Sequence, residues 1–253
     1  MSAERLRAAL PIGGSPRQML LDLGFEHQPS LDDFLPGANS AVLSHLSAWH
    51  AQAVPQSPVY LWGPSGCGKT HLLRAMLMRV LHWGWGGIWL APGSCQMWAP
   101  QVAAAPTLAL MDDAHALHAD EQHLAFNLFI ESAQAARTDG DDLDSGPLRI
   151  LAAGNAPPVD LPVRDDLRTR LGWGLVFQLQ ALDDAGLQLV LQHEARRRGM
   201  HLPDEVLTYL LARVSRDLGS LMRLLDQLDH VALEHHRQIT VPLVRQVMTL
   251  ETS

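Results

Sequence analysis

Gly63-Pro64-Ser65-Gly66-Cys67-Gly68-Lys69-Thr70 decides how this chain is read. The spacing is G-x-x-x-x-G-K-[ST], a glycine-rich turn whose backbone N–H groups point inward at phosphate oxygens. A Cβ at Gly66 or Gly68 would block that close approach. Lys69 can reach β and γ phosphates, and the Thr70 hydroxyl can hold Mg²⁺. The flanks agree. Val59-Tyr60-Leu61-Trp62 is strand-like, and His71-Leu72-Leu73-Arg74-Ala75-Met76-Leu77 has helical periodicity. A helix N-terminus therefore faces the phosphates. The segment is expected to bind a nucleoside di- or triphosphate; hydrolysis is a separate question.

Bulk properties narrow the setting. The chain has 253 residues, 47% of them hydrophobic, enough for a substantial core in one large domain or two small ones. No apolar run approaches the ~18 residues of a membrane span, and Ala8-Ala9-Leu10-Pro11-Ile12 is too short for a signal-peptide core. A cytoplasmic protein is expected. Two cysteines, Cys67 and Cys95, give neither a disulfide framework nor a C-x-x-C pair. Net charge is −8 and the pI about 5.9, whereas a chain gripping many nucleic-acid phosphates carries basic stretches. The one basic run, Arg196-Arg197-Arg198, precedes Gly199, where cations suit a helix C-terminus.

Outward from the loop, strands alternate with helices. Residues 1–29 read as a flexible tail rich in Gly, Pro and Ser. Ser40 is placed to cap a helix running to about Ala53. Strands are expected at Val59–Trp62, Gly87–Ala91, Thr107–Asp112, Arg149–Gly154 and Val176–Gln180, with helices near Thr70–His82, Glu121–Arg137 and Arg164–Leu171. The pattern predicts an α/β fold: a parallel five-stranded sheet covered by helices on both faces, over residues 30–182. Residues 183–253 read as a small all-α unit, with helices at 183–198, 203–214, 217–236 and 241–250.

Further candidates sit at strand ends. Thr107-Leu108-Ala109-Leu110-Met111-Asp112-Asp113 is an apolar strand closing on two carboxylates, at the sheet edge that holds the phosphate loop. Asp112 is placed to bind Mg²⁺ and Asp113 to polarise an attacking water. Asn155 ends the next strand, where it could orient that water or simply form a turn. Arg170 precedes a Gly172-Trp173-Gly174 turn; an arginine that completes a neighbour's site acts in trans, opposite the γ phosphate. His115, His118 and His123 straddle a loop and a helix, unlike the converging ligands of a zinc site, and read as surface histidines. Trp83, Trp85 and Trp89 read as core and edge cover.

These segments, in this order and with a helical unit behind them, resemble the AAA+ ATPases. Gly68-Lys69-Thr70-His71-Leu72-Leu73 and Arg170-Leu171-Gly172-Trp173-Gly174 resemble the replication initiator family of DnaA. Leu224-Leu225-Asp226-Gln227-Leu228-Asp229, with an end soon after Met248, resembles the Hda family of regulatory DnaA homologues. The resemblance spans roughly residues 30–250. It implies an AAA+ base with a helical lid and ADP or ATP with Mg²⁺ as cofactor. The nucleotide would be held by Gly63, Pro64, Ser65, Gly66, Cys67, Gly68, Lys69, Thr70, His71 and Asp112, with Thr70 and Asp112 on the metal. Arg170, Asp113 and Asn155 are implied as the catalytic set. Phe34 and Pro36 align with the segment flanking adenine, though a plain core Phe fits Phe34 as well.

The resemblance also implies partners. Gln18-Met19-Leu20-Leu21-Asp22-Leu23 is similar to the peptide by which that family docks on the sliding clamp of the replicative polymerase, a form of extended-peptide recognition. Met19 stands where Leu is usual. DnaA itself is the implied target, its bound ATP hydrolysed with help from Arg170. The helix-turn-helix domain of DnaA has no counterpart in this sequence, so specific DNA binding is not expected, nor is a membrane. Self-association stays open. One departure stands out: Gly219 falls where the family places a nucleotide-sensing arginine, with Arg216 and Arg223 nearby. The rival expectation is an AAA+ adaptor or helicase loader working through its own ATP cycle; a third is a truncated DNA-binding paralogue.

Overall fold

The computed structural model describes residues 29–100, 105–135, 147–214, 217–235 and 238–250. The candidate clamp peptide, residues 18–23, and Arg216 lie outside these. The chain divides into two compact units. One comprises residues up to Phe34, Asn39–Gly63 and Lys69–Leu179; the other comprises Leu35–Ala38, Pro64–Gly68 and the chain from Gln180 onward.

The first unit begins with α1 (Ser40–Ser47), shorter than its apolar pattern predicts. Trp49, 2% exposed, ends it by packing into the core with its indole N–H donating to His45 Nε2 at 3.3 Å. Asn39 takes the capping position and Ser40 becomes the first helical residue. Then follow β1 (Val59–Trp62), α2 (Lys69–His82), β2 (Gly86–Ala91), β3 (Ser94–Trp98), β4 (Thr107–Met111), α3 (Ala119–Ala135), β5 (Leu148–Gly154), α4 (Asp165–Leu171) and β6 (Leu175–Gln178). The sheet order is β3-β2-β4-β5-β1-β6.

Five strands are the expected ones and run parallel. The sixth, β3, is an antiparallel edge strand that the alternation of strands and helices does not announce. It pairs Ala91 with Ser94 across a Pro92-Gly93 turn, and Glu121 of α3 accepts the Gly93 N–H at 2.6 Å. Its signal was the Pro-Gly dipeptide, which favours a tight two-residue reversal.

Alternation along the central strands fills both faces of the sheet. Tyr60, Ala109, Met111, Ile150 and Ala152 pack with Ala125, Leu128 and Phe129 of α3 and Leu167 and Leu171 of α4. Their neighbours Val59, Leu61, Leu108, Leu110 and Leu151 are equally buried, and α2 packs on β2, β4 and β5. The tryptophans follow suit. Trp85 is buried, Trp83 meets it edge to face at 5.7 Å, and Arg74 lies over Trp89.

The second unit contains α5 (Asp184–Arg197), α6 (Asp204–Arg213), α7 (Leu218–His235) and α8 (Val241–Leu250). All four lie where helical periodicity predicts. Leu187, Leu191, Val206, Leu210, Leu221, Leu225, Leu228 and Val244 form its core. Asp183 caps α5 by accepting the Gly186 N–H at 2.8 Å. The basic run ends α5 in internal pairing: Arg197 and Arg198 bind Glu194, and Arg198 also binds Asp226 at 2.7 Å. Among the described residues, no helix is long and apolar enough to cross a membrane.

Candidate functional site: a glycine-rich loop and a ring-stacked arginine

The sheet brings three strand ends together. β5 lies between β4 and β1, with Met111 paired to Ala152 and Trp62 to Gly154. Gly63 and Asn155 thus leave adjacent strands at the same level, and Asp112 leaves the next strand at the same edge. This is the carboxyl edge of a parallel sheet, where α/β folds bind ligands.

Lys69 opens α2. It is 7% exposed, and its ammonium donates to the Gly63 carbonyl at 2.8 Å. Thr70 Oγ1 donates to Asp112 Oδ1 at 3.2 Å. Burial pushes the Asp112 carboxyl above the ordinary carboxylate range, and the neighbouring Asp113 pushes it further, while the Thr70 hydrogen bond pulls it back. A carboxylate so placed gains from a cation brought beside it. Asp113 adopts a left-handed backbone, φ 46°, with its N–H on Asp112 Oδ1 at 3.1 Å and its carboxylate 4.0 Å from His115 Nδ1. Asn155 is exposed at the end of β5.

The loop's apex, Pro64–Gly68, belongs to the second unit. Gly66 has φ +72°, and a Cβ there would lie 2.1 Å from Asp217 Oδ1 and 2.6 Å from the Leu218 nitrogen. Only glycine fits. Within the first unit the buried ammonium, the N-terminus of α2 and the Thr70–Asp112 pair suit a Mg²⁺-nucleotide in residue type and position. His71 is engaged elsewhere: its Nε2 lies 3.0 Å from the Ser30 carbonyl and its ring stacks on Phe34 with centroids 6.1 Å apart. Phe34 is half-buried against that histidine.

Asp217 was not singled out from the sequence, although Asp217-Leu218-Gly219-Ser220 before an apolar run reads as a helix cap. Its Oδ2 accepts the Ser220 N–H at 2.9 Å and hydroxyl at 2.7 Å, while Oδ1 accepts the Ser65 hydroxyl at 3.2 Å. Burial pushes its carboxyl up, but these hydrogen bonds outweigh that and hold it below the ordinary aspartate value of 3.8. Because the folded pKa is depressed, the stabilisation is complete above pH ~4 and is lost as pH falls through the folded pKa. Asp217→Ala is expected to cost about 1 kcal/mol at pH 7 and to remove that share of the acid sensitivity. Thermal melts of both proteins at pH 7 and below pH ~3 check this; equal melting at pH 7 would contradict it. Arg223, one turn on from Gly219, is exposed and donates to Ser220 Oγ at 2.9 Å.

The arginines at α4 differ in their engagements. Arg164 pairs with Asp166, and Arg168 with Asp165 and the Val163 carbonyl. The Arg170 side chain makes no hydrogen bond or ion pair with a described residue. Its guanidinium carbon instead lies 3.7 Å from the centroid of the Trp173 ring and 5.8 Å from that of Phe126 on α3. Trp173 is 59% exposed, and Val159, Leu175 and Val176 are exposed as well. The histidines form no metal cluster: among the described residues no group of three His, Cys, Asp or Glu converges.

Comparison with known proteins now places this geometry. Residues 183–248 match the family model of the Hda lid domain. Domain III of the Thermotoga maritima replication initiation protein DnaA superposes with a TM-score of 0.66 at 18% identity, covering 88% of this chain and 96% of that one. The chain has the fold of that DnaA domain, and its residues 183–248 are similar to the Hda lid domain. Thermotoga maritima RuvB, as its A156S mutant, matches with a TM-score of 0.62 at 16% identity, over 88% of this chain and 72% of that one. A replication initiator DnaA bound to AMPPCP and single-stranded DNA matches at 0.56 and 19% identity, over 83% and 66%. The Hda lid domain corresponds to α5–α8, the helices that periodicity alone delimits.

Proposed function

We propose that this protein is a regulator of replication initiation that acts on DnaA. It holds ADP or ATP at Gly63–Thr70, with Mg²⁺ at Thr70 and Asp112, docks on the DNA sliding clamp through Gln18, Met19, Leu20, Leu21, Asp22 and Leu23, and presents Arg170 to ATP bound by DnaA. The observation that carries the reading is Arg170 itself: a half-buried guanidinium held by aromatic faces, whose donors meet no polar partner among the described residues. In the partner's site, water attacks the γ phosphorus and the bond to the bridging oxygen breaks. Negative charge builds on the oxygens that Arg170 would meet. The Hda lid domain and the DnaA-like fold support the choice of partner.

Within this chain, Lys69 and the loop's N–H groups bind phosphate, while Asp113 and Asn155 are placed to orient a water. Bound nucleotide would supply the negative charge that these donors meet. The test combines the protein, DNA-loaded clamp and ATP-bound DnaA, and reads phosphate release. Stimulation that needs the clamp supports the reading; unchanged hydrolysis sinks it. Gln18→Ala should cut clamp recovery in a pull-down about tenfold or more, because Gln18 anchors one end of a short extended peptide. Equal recovery would remove residues 18–23 from the account.

The second reading is an adaptor or helicase loader driven by its own ATP cycle, favoured by the complete loop and by Asp113 and Asn155 at the same sheet edge. Intrinsic turnover that ignores the clamp and DnaA would select it.

A further inference from the structure

Arg170 is where the proposed function acts, yet nothing polar among the described residues fixes its orientation. A free arginine side chain carries about 2 kcal/mol of rotamer entropy. An arginine that must meet developing charge at a defined angle loses rate if it enters from many rotamers.

The turn after α4 answers this. The Trp173 N–H donates to the Arg170 carbonyl at 3.1 Å, and the Leu175 N–H donates to the Pro58 carbonyl at 3.0 Å as β6 begins. Between them, a Cβ on Gly174 would sit 1.8 Å from the Pro58 oxygen. The backbone on both sides of Trp173 is therefore fixed, and the indole is delivered over a guanidinium three residues earlier. A ring at 3.7 Å is in face contact. Stacking covers a guanidinium's face and leaves the N–H edges available for bidentate contact with phosphate oxygens.

The exposure of Trp173 calls for a reason of its own. Trp49, Trp85 and Trp98 are at most 9% exposed. Leaving a large ring in water forgoes the stabilisation of burial, so packing does not account for its place.

We propose that Trp173 is a positioning residue for Arg170, holding the guanidinium edge-outward for the partner's γ phosphate. The proposal rests on the reading of Arg170 given above. Trp173→Leu keeps apolar bulk and removes most of the cation–π attraction; Trp173→Phe keeps an aromatic face.

In the clamp-dependent assay with DnaA titrated to saturation, Trp173→Leu should lower the maximal stimulated rate about fivefold. The half-saturating DnaA concentration should stay within about twofold, and Trp173→Phe should recover most of the rate. A partner-free readout accompanies this. Ring current from Trp173 should shift the Arg170 side-chain protons upfield in NMR spectra, assigned by their loss in Arg170→Lys, and Trp173→Leu should abolish the shift. Parent-like maximal rate in Trp173→Leu, while Arg170→Ala is inactive, overturns the positioning role alone. So does an effect confined to half-saturation, or an unshifted Arg170 in the parent. Arg170→Ala as active as the parent overturns the functional reading and this role with it.

Discussion

Arg170→Ala is expected to lower the clamp-dependent stimulation of DnaA-bound ATP hydrolysis by about 10³-fold or more. That is the range in which an arginine supplied in trans acts on phosphoryl transfer, and it corresponds to about 4 kcal/mol of transition-state stabilisation. The fold should be indifferent to the change. The Arg170 side chain gives up no hydrogen bond or ion pair to a described residue, only its stacking on Trp173 and Phe126, worth about 1 kcal/mol. Melting temperature should fall by no more than about 4 °C, and nucleotide affinity and clamp recovery should match the parent. Arg170→Lys keeps the charge and loses the planar fork, so it should fall between the two. Stimulation by Arg170→Ala equal to the parent's would refute the trans role.

Lys69→Met is expected to separate nucleotide binding from folding. The Lys69 ammonium is buried against the Gly63 carbonyl, and burying a charge is costly even when it is hydrogen-bonded. Met retains the apolar stem, so the ligand-free protein should melt no lower than the parent. Nucleotide affinity should fall about 100-fold, the loss expected from two charge-assisted hydrogen bonds to phosphate. In the parent, nucleotide at about 100 times its Kd should raise the melting temperature by roughly 5–10 °C; in Lys69→Met most of that rise should vanish. Isothermal titration with ADP and ATP, alongside the melts, checks both parts. An undiminished ligand-induced rise would mean that Gly63–Thr70 is not the phosphate site.

Much of this molecule was legible along the chain because its signals are local. β1 coincides with the expected Val59–Trp62, and the starts of β2, β4, β5 and β6 lie within one residue of expectation. Buried parallel strands are short apolar runs, and few other elements look like that. The four helices of the lid were equally plain, since each has to bury one stripe. Two elements were not. β3 carries Ser94, Cys95 and Gln96 in a five-residue edge strand, too polar for the buried-strand pattern, and it exists because Pro92-Gly93 reverses the chain onto β2. α1 stops at Ser47 because Trp49 finds a core position that helical continuation would deny it.

The candidate site divides along the same line. Legible along the chain were the loop Gly63–Thr70, the carboxylate pair Asp112-Asp113, the strands that carry them, and Arg170 before its Gly-Trp-Gly turn; the order of those strands in the sheet was not. Each is a contiguous stretch that can be recognised from residue type and spacing. The tertiary structure alone decided who holds each of these groups. Asp217 reaches Ser65 across 152 positions of sequence, Thr70 reaches Asp112 across 42, and Arg170 rests between Trp173 on its own turn and Phe126 on α3. Such pairings depend on the packing of elements remote in sequence, and periodicity records which face a residue occupies but not which neighbour it meets there. The glycine-rich loop could be read from eight residues; the ring-stacked state of Arg170 emerged only once the chain had folded around it.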